Sequence, residues 1–139
     1  MTAPQEYQQA AQDFERFMID AREAAGHTTT NQTYTMVQGV FQAFRRRLSV
    51  TDAIAFAQVL PALLRALFVA DWDTTEPQRP FDDRETITKE VQALRAAHNF
   101  APDTSIRDVA VALHQNIPEA ILNETLARLP EDAQRFWDV

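Results

Sequence analysis

The sequence predicts an all-α protein: a helical bundle built from two tandem repeats of three to four helices each, with no β-sheet. Three observations lead there. Apolar residues recur at spacings of three and four along most of the chain, the spacing that lines one face of a helix. Glycine occurs only at Gly26 and Gly39, too rarely for the tight turns of a β protein or for a glycine-rich phosphate loop. The stretch AFAQVLPALLRALF, residues 55–68, carries a Leu-Pro step at its centre that returns in ETLARLPEDAQRFW, residues 124–137.

The first helix is expected from about Pro4 to Ala25, with Tyr7, Phe14, Phe17, Met18, Ala21 and Ala25 as its apolar stripe and Gly26 as its stop. HTTTNQT then reads as a polar connector. A second helix over about 32–47 places Val37, Val40, Phe41, Phe44 and Leu48 on one face. Arg45, Arg46 and Arg47 close it, where cations complement the negative end of the helix dipole; a phosphate-binding patch is the competing reading. Ser49-Val50-Thr51-Asp52 has capping-box spacing, so a third helix begins at 50, with Ala53, Ile54, Ala57, Val59 and Leu60 apolar.

Pro61 ends that helix, because proline disfavours the α conformation in the residue before it, and it suits the first turn of a new one. Two short helices meeting at a corner, with Leu60 in the core, are expected; one long kinked helix is the alternative. DWDTTEPQRPF, residues 71–81, holds two prolines and no helical period, and reads as the loop separating two halves. Asp82 and Glu85 have capping-box spacing for the next helix, whose stripe is Ile87, Val91, Leu94 and Ala97/His98, fading by Phe100. Pro102-Asp103-Thr104 is a turn and cap.

Shifting the chain by 69 residues lays its second half on its first without a gap. Thr35 meets Thr104, Val37 meets Ile106, Val40 meets Val109, Phe44 meets Leu113 and Leu48 meets Ile117. Farther on, Ala57 meets Leu126, Leu60 meets Leu129, Pro61 meets Pro130, Leu67 meets Phe136 and Phe68 meets Trp137. A capping site recurs slightly displaced, as Asn116-Ile117-Pro118-Glu119. The leading helices, 4–25 and 83–98, match at an offset of 73. The expected organisation is a single domain over 1–139, with repeat 1 at about 4–72 and repeat 2 at about 82–137. Ile54, Phe56, Leu63 and Leu64 correspond to Asn123, Thr125, Asp132 and Ala133, which predicts that the first proline helix is buried on more sides than the second.

Composition bounds the function. The 139 residues are 45% apolar and 24% charged, which suits a packed core rather than a disordered chain. Net charge is −7, and the basic residues are twelve arginines and one lysine, Lys89, so general nucleic-acid binding is disfavoured. There is no cysteine, hence no disulfide, thiolate nucleophile or thiolate metal ligand. No signal-like segment and no long apolar run occur, so no membrane association and a cytoplasmic location are expected.

The step RRRLSVTDA, the following Gln58-Val59-Leu60-Pro61, an aliphatic helix closing on an aromatic and Trp72, and a weaker second copy ending in RLPEDAQRFW occur in that order. Over residues 30–137 the chain thereby resembles the bacterial family catalogued as domain of unknown function 2267. The resemblance implies an all-α tandem repeat and no established activity, so no catalytic residues carry over. Ala70-Asp71 precedes Trp72 here, where a glycine or glutamate beside the tryptophan is expected.

Reactive arrays are sparse. His27, His98 and His114 lie in different segments without ligand spacing, and read as surface or helix-end residues. A calcium loop from Asp71 would need glycine where Glu76 stands and a bidentate glutamate where Asp82 stands. Ser49 and Ser105 sit at helix caps, and Asp82, Asp83 and Glu85 complement a helix start. No catalytic, cofactor or metal-binding residue is assigned. Trp72 and Trp137 are expected to anchor the core; an exposed tryptophan beside Phe81 or Phe136 would instead mark a contact patch, so Trp72, Phe81 and Trp137 are the candidate partner-binding residues. The expected function is a non-enzymatic interaction or scaffolding module for another protein or a second copy of itself. The alternative is a small-ligand sensor, or an enzyme of unrecognised type, with its site in the groove between the repeats.

Overall fold

Helices built on these stripes account for nearly all of the core. The computed structural model describes residues 3–139. Among them there is no strand: the elements are α1 (Gln5–Gln8), α2 (Ala10–Ala25), α3 (Thr30–Arg45), α4 (Val50–Ala57), α5 (Ala62–Val69), α6 (Arg84–Ala93), α7 (Ser105–Asn116), α8 (Glu119–Leu126) and α9 (Glu131–Phe136), with a 3-10 turn at Ala96–His98. The all-α class is as expected.

Local chemistry sets the boundaries. The predicted first helix is distorted at Gln9 (φ −103°, ψ 11°), although the Gln9 amide still donates to the Gln5 carbonyl at 2.9 Å and its carbonyl accepts from the Asp13 amide at 3.0 Å, and Tyr7 on α1 is 52% exposed rather than part of the stripe. Gly26 ends α2 in the left-handed region at φ 72°, the conformation for which glycine carries no Cβ penalty. α3 begins two residues earlier than expected. The Thr29 hydroxyl accepts from the Gln32 amide while the Gln32 side chain accepts from the Thr29 amide, a complete capping box inside what reads as a polar connector.

α3 is the central helix. It is buried nearly all round and packs on α2, α5, α6 and α7. Gly39 lies where α6 crosses it: a Cβ there would stand 2.9 Å from the Val91 carbonyl oxygen and 3.0 Å from its Cγ1. Absence of a side chain is what lets the two backbones approach.

Proline separates the helices that follow. Pro61 (φ −50°, ψ 149°) is the N-cap of α5 and Pro130 (φ −54°, ψ 151°) that of α9, so both run as two short helices and not as one kinked helix. Leu60 and Leu129, just before them, are 2% and 5% exposed. The bounds of α4 and α8 differ by 69 positions at both ends, and the starts of α5 and α9 differ by the same 69. The ends of α3 and α7, Arg45 and Asn116, do not follow that register, since α7 runs further.

Four expectations are corrected. The N-cap of α6 is Asp83, accepting from the Thr86 amide at 2.9 Å, and not Asp82. That helix stops at Ala93; Arg95 turns left-handed (φ 52°), Asn99 donates to the carbonyls of Val91 and Leu94, and His98 is exposed. Asn116 caps nothing: it ends α7, donating to Asp20 at 2.8 Å and to the Ala112 carbonyl at 2.8 Å, while Pro118 is the N-cap of α8. Finally, Phe56 and Leu64 are fully buried, but Ile54 is 49% and Leu63 40% exposed, so α4 and α5 each bury one face only.

The core is one continuous cluster drawn from both halves. α2 packs chiefly on α7 and α3 on α6, so the leading helix of each half lies against the second helix of the other. No described helix is long and apolar enough to cross a membrane.

Candidate functional site

Arg45, Arg46 and Arg47 are the chain's one run of three consecutive cations. Arg45 falls four residues after Phe41 and Arg47 three after Phe44, so both share the buried stripe. Arg45 is 4% exposed and reaches the open end of α5, donating from Nη1 to the carbonyls of Phe68 and Ala70, each at 2.8 Å, and from Nη2 to Asp71 at 3.1 Å. Carbonyls at a helix C-terminus have no partner within the helix, and a guanidinium satisfies three here. Its carbon Cζ lies 5.4 Å from the centre of the Trp72 ring, a cation–π contact. Burial holds the guanidinium below the ordinary arginine value.

Arg47 is 3% exposed and bridges Glu90 (2.7 Å) and Asp82 (3.1 Å) while also donating to the Ala43 carbonyl at 2.8 Å. Arg79 also pairs with Glu90. Two more bonds pin the loop to the end of α3: the Arg79 amide donates to the Arg46 carbonyl at 2.9 Å and the Gln78 side chain to the Arg47 carbonyl at 3.2 Å. Two of the three arginines therefore fasten other segments to the end of α3, a role beyond dipole complementation. Arg46 is held loosely, 3.8 Å from both Glu76 and Glu90 and 3.5 Å from Gln42.

The aromatic candidates divide. Trp137 is 0% exposed and sits at the junction of the two halves, stacked on Phe56 (centroids 5.6 Å apart, planes at 5°) and edge-on to Phe44 (5.0 Å) and Phe136 (4.8 Å). It has no surface to offer a partner. Phe81 is half-buried, 6.2 Å from Phe44 and 6.3 Å from Phe136, at the rim of that cluster. There it lines a small cleft of about 140 Å³ with Asp82, Arg84, Asp132 and Arg135. Trp72 is half-buried elsewhere, in a groove of about 300 Å³ beside Arg45. The three do not form one patch.

Other aliphatic side chains are exposed. Val50 (42%), Ile54 (49%), Leu63 (40%) and Val69 (42%) are exposed on α4 and α5. The residues 69 positions later are Glu119, Asn123, Asp132 and Asp138, all exposed and all polar or acidic. The contrast was visible in the sequence at Ile54/Asn123 and Leu63/Asp132, where it reads equally as burial.

The histidines are spread out. His27 joins the α2–α3 connector to the segment before α7, with Nε2 donating to the Phe100 carbonyl at 2.7 Å and Nδ1 3.0 Å from the Thr33 hydroxyl. His114 Nε2 donates to the Trp137 carbonyl at 2.8 Å. Asp73 is engaged locally, accepting from the amide and hydroxyl of Thr75, and these bonds hold its carboxyl below the usual range. Among the described residues no three His, Asp or Glu side chains are placed to hold a metal ion.

No curated protein matches the chain. A family model described as "Uncharacterized conserved protein (DUF2267)" matches residues 14–136, a span that runs from the first buried turns of α2 to the end of α9 and takes in both proline corners. The chain belongs to that family.

Proposed function

We propose that the chain is a non-enzymatic interaction module of the bacterial cytoplasm that docks another protein, or a second copy of itself, through exposed aliphatic side chains of α4 and α5. The observation that carries this reading is the exposure of Val50, Ile54, Leu63 and Val69 where the second half carries Glu119, Asn123, Asp132 and Asp138 at the same offset. Exposed aliphatic side chains gain roughly 25 cal/mol for each Å² removed from water, and an acidic counterpart gains nothing comparable.

The offset is that of two tandem repeats, about 4–72 and 82–137. Three hydrogen bonds support that reading, each appearing twice at an offset of 69. Arg45 and His114 donate to the carbonyls of Phe68 and Trp137, Arg47 and Asn116 to those of Ala43 and Ala112, and Arg65 and Gln134 to those of Leu60 and Leu129. The bonding pattern recurs although the donor residue differs each time.

The test replaces the face with its own counterpart: Val50→Glu, Ile54→Asn, Leu63→Asp and Val69→Asp together. The expected result is an unchanged helical circular-dichroism spectrum, with loss of partners captured by cross-linking from the native host or of self-association measured by light scattering. Partner capture and self-association identical to wild type would defeat the reading. A second reading, a small-ligand site between the halves, is supported by a groove of about 310 Å³ where Glu6, Asp13 and Arg16 face Pro61 and Pro118.

A further inference from the structure

The chain's charge is unevenly distributed. Residues 71–139 hold seven cations and fourteen carboxylates, whereas residues 1–70 hold six of each, so the net charge of −7 arises entirely in the second half. The contrast is sharpest between the two stretches that carry the proline corners. Over 49–70 the only charged residues are Asp52 and Arg65; both are half-buried, and Arg65 pairs with Glu6 at 3.2 Å. Over 118–139, at the offset of 69, there are seven charged residues and all of them are exposed.

What α4 and α5 do expose is uncharged. Thr51, Ile54, Ala55 and Gln58 are exposed at the spacing that lines one side of a helix, with Val50 one turn before Ile54. On α5 the exposed residues are Leu63, Ala66 and Val69, three apart.

This charge pattern selects the partner. A charged surface calls for opposite charge, because carboxylates buried without a cation or hydrogen-bond donors are costly. Helices α4 and α5 have no exposed cation to offer, so laying them on α8 and α9 of another copy would strip water from carboxylates for no return. Laid on the same helices of another copy, they bury uncharged side chains against uncharged side chains. Such a contact is self-complementary, and a two-fold arrangement closes at two chains.

Resting on the docking reading above, we propose that its partner is a second copy: two chains form a two-fold dimer through α4 and α5, with Ile54 and Leu63 in the contact. The exposed carboxylates of 118–139 stay outside the contact and in water.

Analytical ultracentrifugation of the purified full chain over a wide concentration range should show a monomer–dimer equilibrium and no larger species. Added sodium chloride should strengthen the dimer, since salt screens the repulsion between two chains of charge −7. Ile54→Asn and Leu63→Asp, each the residue found 69 positions later, should each weaken dimerisation by about tenfold or more. Phe100→Ser removes an aromatic side chain, 57% exposed, outside these helices and should leave the dimer unchanged. Circular dichroism of each variant checks that the fold is retained. A chain monomeric at every concentration overturns the dimer but not the docking reading, which then stands on capture of another protein. A dimer unaffected by both Ile54→Asn and Leu63→Asp, one weakened by salt, or growth beyond two chains overturns the two-fold contact. The docking reading fails separately, when the four-residue variant also captures the same host proteins as wild type.

Discussion

His114 donates from Nε2 to the carbonyl oxygen of Trp137 at 2.8 Å and so closes the end of α9. Arg45 does the same for Phe68 at the end of α5, also at 2.8 Å. The two donors are chemically unlike, yet each satisfies a carbonyl that the helix itself cannot. They differ in what is at stake. Arg45 holds three carbonyls from a buried position, and His114 holds one from a half-buried position. Arg45→Met should therefore cost about 3 kcal/mol or more, through unsatisfied carbonyls, and His114→Ala about 1 kcal/mol. Urea unfolding followed by circular dichroism measures both. A smaller cost for Arg45→Met than for His114→Ala would contradict this account.

The helical class and the proline corners were legible because they rest on local chemistry: an apolar stripe of period 3.6, and an imino acid that excludes the α conformation before it. Gly26 was legible for the same reason. The roles of Arg45 and Arg47 were only half legible. Their spacing from Phe41 and Phe44 puts them on the buried stripe, but three adjacent arginines at a helix end read more simply as solvated cations. What Arg45 binds is set by the return of α5, which no local pattern shows. The end of α6 was illegible, since Arg95 adopts a left-handed conformation without being glycine and the capping side chain, Asn99, arrives from beyond it. The exposure of Ile54 and Leu63 was illegible: an apolar residue where the position 69 later is polar reads as burial, and sequence alone does not show which side of a short helix meets solvent.

Gly39 marks a close approach of α3 and α6. Gly39→Ala adds a Cβ that would meet backbone, the Val91 carbonyl, so the helices must separate rather than a side chain merely rotate. Helix propensity favours alanine by up to about 1 kcal/mol, and overpacking costs about 1–3 kcal/mol. The second effect should prevail, with net destabilisation of about 1–2 kcal/mol. Thermal unfolding of the variant provides the check.

Arg95 gives the opposite outcome. Its φ of 52° lies where a Cβ is strained, and its side chain is exposed. Glycine removes a strain of roughly 1–2 kcal/mol, partly offset by the greater freedom of glycine in the unfolded chain. Arg95→Gly should leave stability unchanged or raise it by up to about 1 kcal/mol. A lower melting temperature would show that the arginine side chain makes a contribution of its own.

Asp108 is the buried acid of α7, 2% exposed, with the Thr104 hydroxyl donating to it at 2.7 Å. Burial raises its carboxyl above the ordinary aspartate value, more than the Thr104 bond and the nearby Arg107 and His27 lower it. Its folded affinity for a proton thus exceeds that of the unfolded chain. Between the unfolded and folded values the native state binds more protons, so this residue's contribution falls as pH rises through that window and stays low above it. Exposed Asp73 and Asp83 act in the opposite sense, because hydrogen bonds lower theirs and their contribution is lost as pH falls. Asp108→Asn keeps an oxygen for Thr104 without the charge. The stability of the asparagine variant relative to wild type should therefore increase from about pH 4 upward, from the aspartate reference value, and then level off. Melting temperatures of the two proteins across pH 3.5 to 7.5, a window of about four units around and above that reference, give the difference directly. A difference that does not change with pH would mean that Asp108 titrates as it does in the unfolded chain.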